Sequence, residues 1–181
     1  MHLRLEEYGS PLSRLLLVTD DDGALRALEF ADHEARLHRL LRDHYGEYEL
    51  EVVAAPSNIT QALDAYFDGD FAALDDIRVT TGGTMFQRAV WKALHRIEPG
   101  TTKTYGQLAA ELGRPTASRA VGAANGANPV AIVVPCHRVI GANGALTGYA
   151  GGLRRKQWLL GHEGFGGGTE HPAESQSSCS C

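Results

Sequence analysis

The sequence predicts an α+β protein in two parts: a small N-terminal antiparallel sheet with helices, then a mainly helical part with a helix-turn-helix. Three observations predict it. Apolar runs separated by turn clusters open the chain, the hydrophobic period becomes helical near Asp32, and the charge balance changes sign near residue 82. With 181 residues, 43% hydrophobic and 22% charged, the chain suits one globular domain or two small ones, with apolar surface enough for a core. No apolar run nears the ~18 residues of a membrane helix, and the run at residues 15–18 is too short for a signal-peptide core. Cys136 lies in the interior, and Cys179 and Cys181 lie in a polar tail. That usage suits a reducing cytoplasm and argues against a disulfide scaffold.

Residues 3–8, 12–19 and 24–30 read as strands, separated by Gly9-Ser10-Pro11 and Asp20-Asp21-Asp22-Gly23. From Asp32, Leu37, Leu40, Leu41 and His44 share one helical face. Residues 49–54 form a further strand candidate. Pro56-Ser57 starts a second helix with Ile59, Leu63, Tyr66 and Phe67 as its stripe, stopped by Asp68-Gly69-Asp70. A polar joint at residues 80–83 divides a scaffold of residues 1–81 from a second part of residues 82–166. There Thr84 and Gln87 fit a capping box, opening a helix that buries Phe86, Val90, Leu94 and Ile97, with Trp91 beside them. Residues 105–112 and 116–124 are two short helices around Gly113-Arg114-Pro115, the pattern of a helix-turn-helix, although many such hairpins bind nothing. Residues 130–134 read as a buried strand interrupted by Pro135. A five-glycine loop follows at 141–152, then an amphipathic helix at 154–160. From Gly166 the composition predicts a disordered tail.

Residues 1–81 hold 7 Lys+Arg against 17 Asp+Glu, a balance of −10, while residues 82–166 hold 10 against 3, a balance of +7. The net charge of −5 therefore does not exclude nucleic acid, because a polyanion answers to the basic face near it. Cys136 is the reactive candidate. A buried structural cysteine is the commoner fate of a lone interior Cys. Against that, Pro135 fixes the backbone before it, and His137 and Arg138 follow at once, where positive charge favours a thiolate. Neighbours on extended chain point to opposite sides, so a water between Cys136 and His137 is easier than direct contact. His137 would need an acceptor on its other ring nitrogen. Glu163 is the candidate, and an ordinary surface glutamate is the alternative.

Val133-Val134-Pro135-Cys136-His137-Arg138-Val139-Ile140 resembles the signature of the 6-O-alkylguanine-DNA alkyltransferases. Phe86-Gln87 with Val90-Trp91, Thr104-Tyr105-Gly106-Gln107-Leu108-Ala109, Arg119-Ala120-Val121-Gly122, Asn128-Pro129, Gly151-Gly152-Leu153 and, earlier, Leu63-Asp64-Ala65-Tyr66-Phe67 are similar in order and spacing. The similarity covers roughly residues 8–164. It implies a ribonuclease H-like first part and a winged-helix-like second part. It also implies direct reversal of 6-O-alkylguanine, and of 4-O-alkylthymine, in double-stranded DNA: the damaged base is flipped out and its alkyl group moves once to Cys136. By the same resemblance His137 is the base through water, Glu163 holds its tautomer, and Asn128 braces the turn before the cysteine. Tyr105 gives a proton to the flipped ring. The carbonyls of Cys136 and Val139 read the exocyclic amine, Tyr149 walls the pocket, and the Ala150 amide lies near the substrate oxygen. Arg119 fills the gap in the stack. Ala117, Ser118 and Ala120 complete a helix too poor in donors to read sequence, suited to the minor groove.

The resemblance implies a monomer, with copies able to sit side by side on DNA, and chemistry that needs no metal or organic cofactor. Zinc, which some relatives bind through cysteines in their first domain, is not carried over, because residues 1–81 contain no cysteine. Two other classes fit parts of the pattern. A cysteine hydrolase using Cys136 and His137 would turn over many times. A DNA-damage-binding module without chemistry would be indifferent to Cys136→Ala.

Overall fold

The computed structural model describes residues 1–53 and 57–166. The strand end at Ala54, the helix start at Pro56 and the tail with Cys179 and Cys181 lie outside them. The first three strands, β1 (His2–Gly9), β2 (Arg14–Thr19) and β3 (Leu25–Phe30), form the antiparallel meander that the turn clusters predict. A fourth strand corrects the purely antiparallel expectation. β4 (Glu49–Val52) returns from helix α1 (Glu34–Tyr45) and pairs with β1 in parallel, giving a mixed sheet of order β3-β2-β1-β4. The helical crossover makes this possible, since a tight hairpin can only return antiparallel.

β2 is buried along both faces, which is why its residues are apolar without alternation. The period of two reappears in what they touch. Leu16 and Val18 join Leu37 and Leu41 of α1 in a smaller core, with Leu3 and Leu5 of β1. Leu15 and Leu17 join the larger core, with Ile59, Leu63 and Tyr66 of α2 (Ser57–Phe67). His44 and Phe67, expected on buried stripes, are half-buried at the rims. The predicted capping box opens α3 (Met85–Leu94): Thr84 Oγ1 accepts from Gln87 N at 3.2 Å, and Thr84 N donates to Gln87 Oε1 at 2.8 Å. A second capping box, Thr104 with Gln107, opens α4 (Tyr105–Glu111). The strand just before α4, β5 (Lys103–Thr104), pairs in parallel with β6 (Val139–Ile140). Gly113, at φ +71°, turns the chain from α4 into α5 (Ser118–Gly126). α5 begins two residues later than expected because Ala117 is tied into a turn on the Arg114 carbonyl. Trp91 Nε1 donates to Ala124 O at 2.9 Å and locks α3 against α5. α6 (Leu153–His162) is the last helix.

The larger core takes residues from both sides of the joint at 80–83, including Leu25, Leu28, Val90, Trp91, Leu108, Val121 and Leu159. Backbone bonds cross as well. Leu28 N donates to Pro129 O and Ala131 N to Leu28 O, each at 2.9 Å. Arg36 of α1 donates to Gly126 O at 2.6 Å and to Asn128 O at 3.1 Å. The first sheet thus holds the segment that leads into Cys136.

Candidate active site

Residues 130–134 are not the expected strand. Val130 makes one isolated bridge to Leu28, and the chain then turns on itself, with Val134 N donating to Val130 O at 3.0 Å. Pro129 and Pro135 lack donors at either end. Asn128 closes the loop from within: Val130 N donates to its Oδ1 at 3.0 Å, and its Nδ2 donates to Val134 O at 2.8 Å and Val130 O at 3.3 Å. The run is apolar because it is buried all round. Ile132 sits at φ +69°, a conformation that costs a β-branched residue about 1–3 kcal/mol and persists only where its surroundings over-determine it. Asn128 supplies that constraint.

Cys136 begins a single 3-10 turn, Cys136–Arg138, so the extended-chain argument about it and His137 does not apply. Its amide donates to Val134 O at 2.7 Å, and Asn125 Nδ2 donates to its carbonyl at 3.3 Å. The expectation that His137 and Arg138 make it a thiolate is also corrected. Burial acts most strongly and pushes the thiol up, while the Asn128 side chain, Arg36 and Lys156 pull it down by less. The resting group is a neutral thiol.

His137 is fully buried, and burial lowers its proton affinity despite the neighbouring carboxylate. Its Nε2 lies 2.8 Å from Glu163 Oε1, and its Nδ1 is buried without a protein partner among the described residues. Glu163 is no surface residue: its side chain is completely enclosed. Burial alone would raise its pKa, but hydrogen bonds from His137 and Arg138 outweigh that and hold it well below the usual carboxylate range. Arg138 grips it with Nε on Oε2 at 2.8 Å and Nη2 on Oε1 at 2.9 Å, while its Nη1 donates to Ile97 O. Facing an ionised carboxylate, Nε2 carries the imidazole proton and Nδ1 presents a lone pair. The arrangement is a base aimed away from its own carboxylate.

Around the thiol stand two tyrosines. Tyr105, at the start of α4, donates to Thr147 O at 3.2 Å, and burial raises its pKa. Tyr149 is buried, its hydroxyl has no partner among the described residues, and its ring meets Phe30 edge-on at 6.3 Å. Gly151 packs so closely behind it that a Cβ there would lie 2.3 Å from Phe30 Cε2. Ala150 is half-buried between them. Val139 lies in β6, and its carbonyl accepts from the buried Lys156, whose Nζ also donates to Thr147 O at 2.8 Å. Burial lowers the pKa of Lys156 to about 8. Arg119 and Ser118 line a cleft of about 390 Å³ with Tyr105 and Gly122. Arg119 and Ala120 are exposed on α5, and Ala117 caps it without a side-chain bond. Tyr105 therefore links the two parts of the site: it interacts electrostatically with the buried Cys136 and lines a cleft with Ser118, Arg119 and Gly122 of α5.

Residues 85–165 match the sequence profile of the 6-O-methylguanine DNA methyltransferase DNA-binding domain. The methylated-DNA–protein-cysteine methyltransferase of Salmonella typhimurium is 53% identical over 167 residues, spanning 91% of this chain and 98% of the relative. The chain belongs to the methylated-DNA–protein-cysteine methyltransferases. The relative from Methanosarcina acetivorans is 45% identical over 157 residues, 87% of this chain and 96% of its own. Among solved structures, the O6-methylguanine methyltransferase of Mycobacterium tuberculosis superposes with a TM-score of 0.74 at 40% identity, covering 89% of this chain and 92% of that one. The Mycobacterium tuberculosis protein in complex with DNA gives 0.73 at 42% identity, over 90% and 92%.

Three residues of this methyltransferase site escaped the sequence reading as site members: Tyr66, Arg138 as the clamp on Glu163, and Lys156. Tyr66 OH donates to Glu163 Oε1 at 2.8 Å across 97 positions. Each reads in sequence as stripe, signature or surface cation. A lysine at the fourth position of a short helix otherwise rich in charge gives no sign that it is buried.

Proposed function

We propose that this chain repairs 6-O-alkylguanine in double-stranded DNA by moving the alkyl group onto Cys136, once per molecule. The observation that carries the reading is a fully buried His137, next in the chain to a neutral thiol, whose Nε2 is committed to Glu163 and whose Nδ1 has no partner among the described residues. The thiol proton passes through a water to Nδ1. Sulfur forms a bond to the alkyl carbon, the carbon–O6 bond breaks, and Tyr105 delivers a proton to the departing purine, which leaves as guanine. A thioether has no hydrolytic exit, so the protein is consumed.

In this reading Asn128 fixes the turn that presents the thiol. The carbonyls of Cys136 and Val139 select the guanine amine, Tyr149 and Ala150 bound the pocket, and 4-O-alkylthymine is a second substrate. Arg119 enters the stack from the minor groove, and the small residues Ala117, Ser118 and Ala120 let α5 press against the backbone without reading sequence. The protein acts as a monomer in the cytoplasm, with copies adjacent on DNA. Residues 1–81 serve as a ribonuclease H-like scaffold and residues 82–166 as a winged-helix-like reacting part; the mixed order β3-β2-β1-β4 supports the former. Intact-protein mass spectrometry with an oligonucleotide bearing 6-O-methylguanine tests the proposal. One methylene gained on the Cys136 peptide is expected. Guanine released in excess over protein, with that peptide unchanged, would sink it.

A further inference from the structure

We propose that Tyr66 is a positioning residue of the transfer reaction, whose hydroxyl sets how much of the Glu163 charge His137 feels; this rests on the reading of Cys136 and His137 above. Glu163 Oε1 takes three donors: Tyr66 OH at 2.8 Å, His137 Nε2 at 2.8 Å and Arg138 Nη2 at 2.9 Å. Among the described residues, Oε2 takes only Arg138 Nε. Tyr66 and His137 thus share one oxygen, and what the phenol draws from it the imidazole loses.

Tyr66 is built to stay there. It is wholly buried at the end of α2, with Phe67, Phe71 and His162 edge-on to its ring at 5.2, 5.7 and 5.3 Å. Its carbonyl lies 2.9 Å from His162 Nε2. Burial first, and then the Glu163 charge, raise its pKa well above the ordinary phenol value. The group is therefore a permanent donor. A ring that only filled space would need no hydroxyl at this point.

The other ionisable groups around the pair include Arg138 on the same turn, Cys136 before it, Lys156 on α6, the buried Tyr149, which interacts electrostatically with Tyr66, His162 against the Tyr66 ring and His95 near Arg138. Arg138 and Lys156 both disfavour a charged His137. Tyr66 adds to them by diluting the one negative charge that favours it. A His137 held too tightly in its protonated form could not accept the thiol proton, so the hydroxyl keeps the base available below neutrality.

The test compares wild type with Tyr66→Phe, which removes one oxygen and still leaves Glu163 three bonds. The His137 ring is titrated by nitrogen NMR, and single-turnover transfer from 6-O-methylguanine DNA is followed against pH. In Tyr66→Phe the imidazole midpoint and the acid limb of the rate profile are expected to rise together by about 0.5–1 pH unit. The plateau rate should change less than about threefold. Fluorinated tyrosine at position 66, a stronger donor, should move both midpoints down, which covers the case of a misfolded Phe variant. Tyr8→Phe is the control, because Tyr8 is a buried tyrosine of the same core whose hydroxyl donates to Asp64 at 2.6 Å and not to Glu163; it should move neither. Unmoved midpoints with only a lower melting temperature would overturn the proposal. A moved imidazole midpoint in a protein whose wild type transfers nothing would support Tyr66 and overturn the repair reading.

Discussion

His137 faces a carboxylate that takes four donors, and the residue before it in the chain is a thiol pushed towards its neutral form by burial. Glu163 and Cys136 are both shut away from water, and desolvation penalises charge on each. Glu163 keeps its charge because four hydrogen bonds converge on it, two from a guanidinium. Cys136 lacks such a set, and the partial help of Asn128, Arg36 and Lys156 does not reverse the penalty. The difference shows how one interior can hold a fixed charge and a movable proton a few residues apart. The two groups start from ordinary values of 9.0 and 4.5; burial pushes both up, and only on Glu163 do the hydrogen bonds reverse the push.

Breaking the thiol side should have the largest effect. Cys136→Ala should abolish alkyl transfer to the protein while leaving binding to lesion DNA within a few-fold, measured by peptide mass and gel shift. Breaking the carboxylate side comes next. Glu163→Gln should slow transfer by about 10²–10⁴, the range for a lost acid–base contribution. It should also cost about 3–5 kcal/mol of unfolding free energy by stranding buried Arg138, read by chemical denaturation. Full stability in that variant would mean that the hub is not the anchor described here.

The comparison is sharpened by acid. The folded His137 has a lowered pKa, so the unfolded chain takes up a proton that the folded chain refuses as pH falls below its ordinary value of 6.5. Glu163 is depressed too, so the stability it contributes is present above 4.5 and lost as pH falls below that. Both signs agree: stability should decline below pH 6.5 and more steeply below 4.5. His137→Gln should shrink the first decline, to which the lowered pKa values of His44 and His95 also contribute, and keep the second, in unfolding curves recorded at several pH values. A smaller effect belongs to the exposed face of α5 proposed above to meet DNA. Arg119→Ala should slow transfer from duplex DNA by about tenfold, equivalent to ~1.4 kcal/mol, and hardly change transfer from the free base. Equal losses would overturn the place in the stack proposed for Arg119.

The smallest effect should come from the strap behind Tyr149. Arg155 donates to Gly151 O at 3.1 Å, pairs with Asp32 at 3.0 Å and lies 4.2 Å over the Phe30 ring. Arg155→Ala should slow transfer a few-fold and couple with Asp32→Ala in a double-mutant cycle. Additive losses would separate the strap from the loop.

The meander, helices α1 to α6 and the capping box at Thr84 were legible because each depends on neighbours in the chain. The strand predicted at residues 130–134 failed for the converse reason: burial on every side and an extended ladder demand the same residue types, and Asn128 chose between them. The parallel pairing of β4 was hidden because hydrophobic pattern carries no strand direction. Cys136, His137 and Glu163 stood out by type and rarity. Tyr66 did not, since a buried tyrosine on a helix stripe looks the same whether its hydroxyl meets a carboxylate or a gap.

The bonds from Leu28 and Arg36 to residues 126–131 carry a practical consequence. A gene fragment spanning only the segment that matches the DNA-binding profile would strip the Pro129 carbonyl of the Leu28 amide and Glu163 of its Tyr66 donor, and would remove the apolar residues of the sheet and α2 from the larger core. Such a truncation should express as aggregate or as a dynamic, unreactive chain. The matched segment marks an ancestry, and the unit that must be inherited whole is larger.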